Sequence, residues 1–165
     1  NFVTAEEVLA QVGKDAFRFF MLQYAPRSGI QFDIGLAKKH SKDNPVYYVQ
    51  YAHARATSVL KKAKKRVDPK KADWRLCESD PETMLIKQVL AYQEVIEETS
   101  HDFEVQRLTR YVYELARIFT RFYETTKVIG VPKETEYARL ALVMVTKQVI
   151  ARTLGVLGIS APEKM

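Results

Sequence analysis

The chain is 165 residues long, which suits one compact domain with a short additional segment. With 47% hydrophobic and 28% charged residues it can bury a core, which excludes global disorder, and its formal net charge of +6 favours a polyanionic partner. A single cysteine, Cys77, excludes an intramolecular disulfide and fits a reducing compartment, so a cytoplasmic location is expected. No apolar run reaches the length of a membrane span and no signal peptide is visible. With one cysteine and with His40, His53 and His101 scattered, no metal site is expected. The chain begins Asn1-Phe2-Val3 rather than with methionine, so it is expected to be cut from a longer protein.

In chain order, Thr4 and Glu7 form a capping-box pattern, with Val3 and Val8 spaced as a hydrophobic staple. A helix is predicted from there to Gln11, stopped by Gly13, and a second from Asp15 to Tyr24. Residues Ala25 to Gly29 read as a loop, Ile30 to Phe32 as an extended stretch, and Asp33 as the start of a short helix to Ser41. Asn44-Pro45 is a strong start signal, an N-cap acceptor before a proline with no amide hydrogen to lose. That helix is predicted to reach Val67, where Asp68-Pro69 stops it. After a polar connection, Asp80-Pro81 repeats the start signal for a helix or broken helix pair to Thr99. Two more helices follow, from Glu104 to Lys127 and from Thr135 to Leu157, the last ended by Gly158. Strand alternation and internal repeats are missing, so the chain reads as all-α, a helical bundle preceded by a smaller helical segment.

Function has to be sought on the helix surfaces. On the penultimate helix, Leu108, Tyr111, Val112, Leu115, Phe119, Phe122 and Tyr123 form an apolar stripe, with Arg107, Arg110, Arg117 and Arg121 opposite. The densest basic run, including Lys61, Lys62, Lys65 and Arg66, reads either as a phosphate-contacting patch or as a solvated helix end favoured by the dipole. In the helix after Pro45, Val49, Ala52, Ala56, Val59, Leu60 and Ala63 form the core stripe. Tyr48, Tyr51 and Arg55 lie beside it at i, i+3 and i+7. Such a trio can stack an unpaired base, but spacing alone favours rim packing with the hydroxyls in water. His53 lacks a nucleophile or orienting carboxylate at suitable spacing and reads as packed or hydrogen-bonded. Glu94, Glu97 and Glu98 read as a solvated face, and no glycine-rich phosphate loop is present, so no catalytic residue is named.

The run Asn44-Pro-Val-Tyr-Tyr-Val-Gln-Tyr-Ala-His-Ala-Arg55 is similar to a signature of arginyl-tRNA synthetases. Val12 to Phe20, Phe32-Asp33-Ile34, Leu108 to Ala116 and Leu157 to Met165 also match that family, in order along the chain. The resemblance implies that residues 1–43 are the C-terminal helical part of a class I catalytic region and residues 44–165 an all-helical anticodon-binding domain. The family's nucleotide-binding signatures, of the H-I-G-H and K-M-S-K type, are not found here, so this piece is expected to bind without catalysing and to hold no cofactor. The full-length form would attach arginine to tRNA(Arg) using ATP with Mg. It also places Tyr48, Tyr51 and Arg55 at the anticodon and implies that Tyr123 and Met165 enclose its middle base. Contact thereby overtakes packing as the reading of Tyr48, Tyr51 and Arg55, while the stripe of Tyr123 also suits the core. One departure is Glu104-Val105-Gln106-Arg107, where many relatives carry a Pro-His pair; it leaves the start of that helix less sharply fixed. A monomer is expected, with Met165 as the natural C-terminus. The rival readings are a stand-alone helical RNA-binding module or a protein-interaction module derived from the synthetase.

Overall fold

The computed structural model describes residues 4–165; among them are eight α-helices, two 3-10 turns and no strand. The helices are α1 (Ala5–Val12), α2 (Lys14–Leu22), α3 (Ile34–Ala37), α4 (Pro45–Ala63), α5 (Asp80–Leu90), α6 (Tyr92–Asp102), α7 (Gln106–Thr125) and α8 (Lys133–Val156). The 3-10 turns, Pro69–Lys71 and Trp74–Leu76, fill the polar connection between α4 and α5. The all-α expectation holds.

Local chemistry explains most helix starts. The Thr4 hydroxyl accepts from the Glu7 amide (3.2 Å) while the Glu7 carboxylate accepts from the Thr4 amide (2.8 Å), the reciprocal pattern expected. The proposed staple partner Val3 lies outside the described residues. Asn44 caps α4 through the Val46 amide (3.2 Å), and its side-chain NH₂ donates to the carbonyls of Ala37 (3.0 Å) and Lys39 (2.9 Å), so one buried amide joins the end of α3 to α4. Before α5 the cap is Ser79 rather than Asp80: the Ser79 amide (2.9 Å) and hydroxyl both donate to Glu82, moving the boundary one residue upstream.

Other boundaries shift for tertiary reasons. Helix α4 ends at Ala63 instead of Val67 because Lys64 turns left-handed (φ 51°). Lys65 then pairs with Glu136 of α8, and the Asp68 amide donates to the Tyr137 hydroxyl (2.9 Å). These contacts with α8 replace one further turn of helix. The predicted segment from Pro81 to Thr99 is indeed a broken pair, split at Ala91. Helix α3 stops at Ala37, and α7 starts at Gln106 without a side-chain cap. Ile30 to Phe32 forms no strand; Phe32 packs its ring on Phe17 (5.7 Å) and Phe20 (5.4 Å).

Helix α8 is the centre of the bundle. Leu140, Ala141, Leu142 and Val143 are consecutive and all buried, so the helix is covered on every side. It packs against α4, α7, α5 and the 3-10 turns. Helix α4 meets it with the small side chains of Ala52 and Ala56, which permit close approach, and α7 supplies Leu108, Val112, Leu115, Phe119 and Phe122. Glu82, 1% exposed, receives the Arg139 guanidinium at 2.7 Å and ties α5 to α8. Burial opposes its charge, yet the bonds from Ser79 and Arg139 hold its pKa below the ordinary carboxylate value.

After α8 the chain runs back over α2 and α4. Arg18 of α2 donates through Nε to the Leu157 carbonyl, and Gly158 follows at φ 68°. A Cβ there would sit 2.7 Å from that Nε. Gly158→Ala should therefore destabilise the fold by about 1–3 kcal/mol through left-handed strain and displacement of Arg18. Urea unfolding measures this, and an unchanged midpoint would contradict the packing.

Candidate nucleic-acid interface

Because α4 and α7 both lean on α8, their outer faces flank a groove of about 460 Å³ lined by Tyr47, Tyr48, Tyr51, Arg55, Lys42, Thr120 and Glu124. Arg55 is its organising group. Its guanidinium lies 4.7 Å from the ring centroid of Tyr51 and 4.6 Å from that of Tyr123, so a planar cation is held between two aromatic faces from different helices. Arg55 Nη2 donates to the Tyr51 hydroxyl at 3.1 Å, while Glu124 approaches Nη1 only to 4.0 Å and is itself well exposed. That pair is weak, which leaves the guanidinium available. Tyr51 and Tyr123 are each 41% exposed. Tyr123 packs its inner side on Phe119 (6.5 Å), which explains how a residue on the apolar stripe of α7 also reaches solvent.

Tyr48 is half-buried, its ring 5.5 Å from Tyr113, and forms the groove wall rather than an open face. It also borders a smaller concavity of about 220 Å³ with Met84, Arg117 and Arg121. Four lining residues escaped the sequence reading. Tyr47 could have been found, since it lies one turn before Tyr51 and their rings are nearly parallel (9°, 6.4 Å). Lys42, Thr120 and Glu124 come from a loop and a second helix and carry no local signal.

The structure divides the predicted basic residues. Lys61 pairs with Glu163 at 3.0 Å and Lys65 with Glu136, whereas Lys62 and Arg66 are exposed and have no ion pair among the described residues. Lys62 lies seven residues after Arg55, so it extends the Tyr51–Arg55 stripe along the same face. On α7, Arg107 is taken up by Asp102 (2.8 Å) and Glu98 (3.2 Å), and Arg117 by Glu114 (2.7 Å), so the expected basic face is partly neutralised.

Met165 does not line the groove and is 48% exposed at the end of a tail strapped along α4. Gln50 donates to the Ser160 carbonyl (3.0 Å) and to Asp15 (2.8 Å), which also receives the Ser160 hydroxyl. His53 is 3% exposed and its Nδ1 lies 2.8 Å from the Pro162 carbonyl, so it is the packed, hydrogen-bonded histidine the sequence suggested. Burial holds its pKa below the ordinary histidine value, with the charge of Lys147 acting in the same direction. The Glu163 carboxylate bridges Lys147 (2.9 Å) and Lys61 (3.0 Å), joining α8 to α4 two residues before Met165.

The site holds no nucleophile–base pair. Cys77 is buried away from it, with its thiol pushed up to about 11 by that burial. Among the described residues no group of three or more His, Cys, Asp or Glu side chains could hold a metal ion. Among the described residues no helix is long and apolar enough to cross a membrane.

An all-helical bundle presenting an aromatic–guanidinium slot on two splayed helices is a binding module, suited to flat, unpaired ligands with acidic backbones. The chain belongs to the DALR anticodon binding domain family, which matches residues 49–165. A curated relative from Desulfitobacterium hafniense named arginine–tRNA ligase is 42% identical over 170 residues, covering 100% of this chain and 30% of its own length. A solved chain from Thermus thermophilus, an arginyl-tRNA synthetase, superposes with a TM-score of 0.79 at 30% identity, over 100% of this chain and 28% of that one. One from Campylobacter jejuni, assigned as an arginyl-tRNA synthetase, gives a TM-score of 0.90 at 31% identity, over 100% and 36%. The chain thus spans about 30% of the length of the curated relatives it matches.

The Glu163 bridge makes a test. Hydrogen bonding from Lys147 and Lys61 lowers its pKa from 4.5 to about 2. A carboxylate depressed on folding stabilises above its unfolded value and loses that contribution as pH falls, here between 4.5 and about 2. The amides of Ser160, Ala161 and Glu163 should lose protection, corrected for intrinsic exchange, as pH falls through that window, and Glu163→Gln should reproduce the loss at neutral pH. Unchanged exchange in the variant would refute the clamp.

Proposed function

We propose that this chain recognises the anticodon of tRNA(Arg) as one part of an arginyl-tRNA synthetase. The observation that carries the reading is the Tyr51–Arg55–Tyr123 slot, lying within the residues the DALR family matches. The exposed surfaces of Tyr51 and Tyr123, braced by the guanidinium between them, offer flat faces for a base, and stacking of this kind is typically worth roughly 1–3 kcal/mol per base. Tyr48 supplies the wall of the groove, and Met165, exposed outside it at the end of the clamped tail, moves its flexible thioether onto the base when RNA binds. Lys62 and Arg66 are the ready phosphate contacts, and Lys61 and Lys65 join them where a phosphate replaces Glu163 or Glu136.

Residues 44–165 form the anticodon-binding domain in this account, and residues 1–43, with α1 to α3, the end of the catalytic region. The whole enzyme activates arginine with ATP and Mg and transfers it from arginyl-adenylate to the tRNA. Those contacts fall in the part of the relatives that this chain does not span. It acts in the cytoplasm as a monomer, without a membrane, and this chain alone binds but does not aminoacylate.

The test is binding of the chain to an arginine tRNA and to a transcript altered only at the middle anticodon base. The altered transcript should bind about tenfold or more weakly, by the order of one lost stacked and hydrogen-bonded base. Arg55→Ala should abolish the difference. Equal affinity of the unaltered chain for both transcripts would refute the reading.

A further inference from the structure

One turn before Tyr51, a second aromatic station stands beside a second concavity. Tyr47 lies nearly parallel to Tyr51, with 6.4 Å between ring centroids, and the His40 imidazole stands edge-on to it at 5.7 Å. The ladder therefore runs His40, Tyr47, Tyr51, Arg55, Tyr123, longer than a single base requires. Tyr47 lines both the groove already described and a second one of about 470 Å³, enclosed by the α1–α2 junction, α3 and the start of α4. That ring is the one side chain the two hollows share.

The second groove is basic. Lys14, Lys38 and Lys39 border it together with His40, and all four are exposed. Lys38 donates to the neutral Gln11 side chain at 2.8 Å, which leaves its charge uncompensated. Lys39 faces Asp43 at 3.5 Å across two exposed side chains, a pairing of little strength. Asp15, the carboxylate in the lining, is turned to Ser160 and Gln50. Cations around a flat aromatic floor match a nucleotide with its base stacked and its phosphate outward.

We infer that the second groove binds the nucleotide next to the one held at Arg55, its base on Tyr47 and His40 and its backbone phosphate at Lys14 and Lys38. This rests on the anticodon reading of the first groove. The two stations then hold consecutive bases of one unstacked loop, and the α1–α3 segment contributes directly to RNA affinity.

The experiment titrates the chain with an anticodon stem-loop of arginine tRNA and with loops made abasic on either side of the middle anticodon position. Tyr47→Leu keeps the apolar volume and removes the flat face; it should weaken the intact loop about tenfold. One of the two abasic loops should bind the unaltered chain about tenfold more weakly yet bind Tyr47→Leu no worse than the intact loop does. Lys14→Ala with Lys38→Ala, both on the surface, should weaken every loop and flatten the salt dependence by about one unit of log–log slope. If Tyr47→Leu and the lysine pair bind as tightly as the unaltered chain while Arg55→Ala loses binding, the second station is refuted and the first stands. If Arg55→Ala is also without effect, both are refuted.

Discussion

Helix α8 is apolar around its whole circumference at Leu140–Val143, so its middle has to be wrapped, and that requirement sets the rest of the molecule. Helices α4, α5 and α7 each turn an apolar stripe toward it. The alanines of α4 bring that helix close, while the larger leucine and phenylalanine side chains of α7 fill the space beside it. Two helices laid side by side on a third expose a groove on their outer surface. Tyr51 and Arg55 of α4 line it, and Tyr123 of α7 packs on the Arg55 guanidinium from outside the lining. The binding slot is thus a consequence of the core, and its width follows from which side chains α8 accepts.

The tail runs outside this groove and ties the helices behind it together. It is held in sequence by Arg18, by Asp15 and Gln50, by His53, and by the Lys61–Glu163–Lys147 bridge. Each link is modest alone, and the exposed ion pairs are weak by themselves. Together they fix a segment that has no regular secondary structure against α2 and α4. The same links join α1–α3 to the bundle, so the two parts of the chain meet at the tail.

Helix chemistry was largely legible. Asn44-Pro45, the Thr4–Glu7 box and the stripe on α7 act over one or two turns, and the helices they predict are present. What could not be read is set by contacts distant in sequence. The stop of α4 at Lys64 answers to Glu136 and Tyr137, and Lys61 looks like a free cation until Glu163 is placed beside it. The DALR family and the all-helical fold agree with the resemblance carried by Asn44 to Arg55. Tyr51 and Arg55 were found because they share a helix. Their contact with Tyr123 joins two helices distant in sequence, and the resemblance sets Tyr123 beside Met165 instead. Tyr47 and Lys42 are not marked in the sequence, the first because it lies one position before the stripe of Tyr48, Tyr51 and Arg55, the second because a loop lysine carries no pattern.

The central claim is that the Arg55 guanidinium and its two flanking rings are where RNA is read, and the most direct measurement observes that guanidinium. Titrating the chain with an arginine anticodon stem-loop while following the Arg55 Nε–Hε resonance and the ring signals of Tyr51 and Tyr123 by NMR reports on all three groups. The account predicts saturable shifts in all three, lost when the middle anticodon base is removed. Shifts confined to Lys61 through Arg66, with Arg55 and both rings unmoved at saturation, would contradict it.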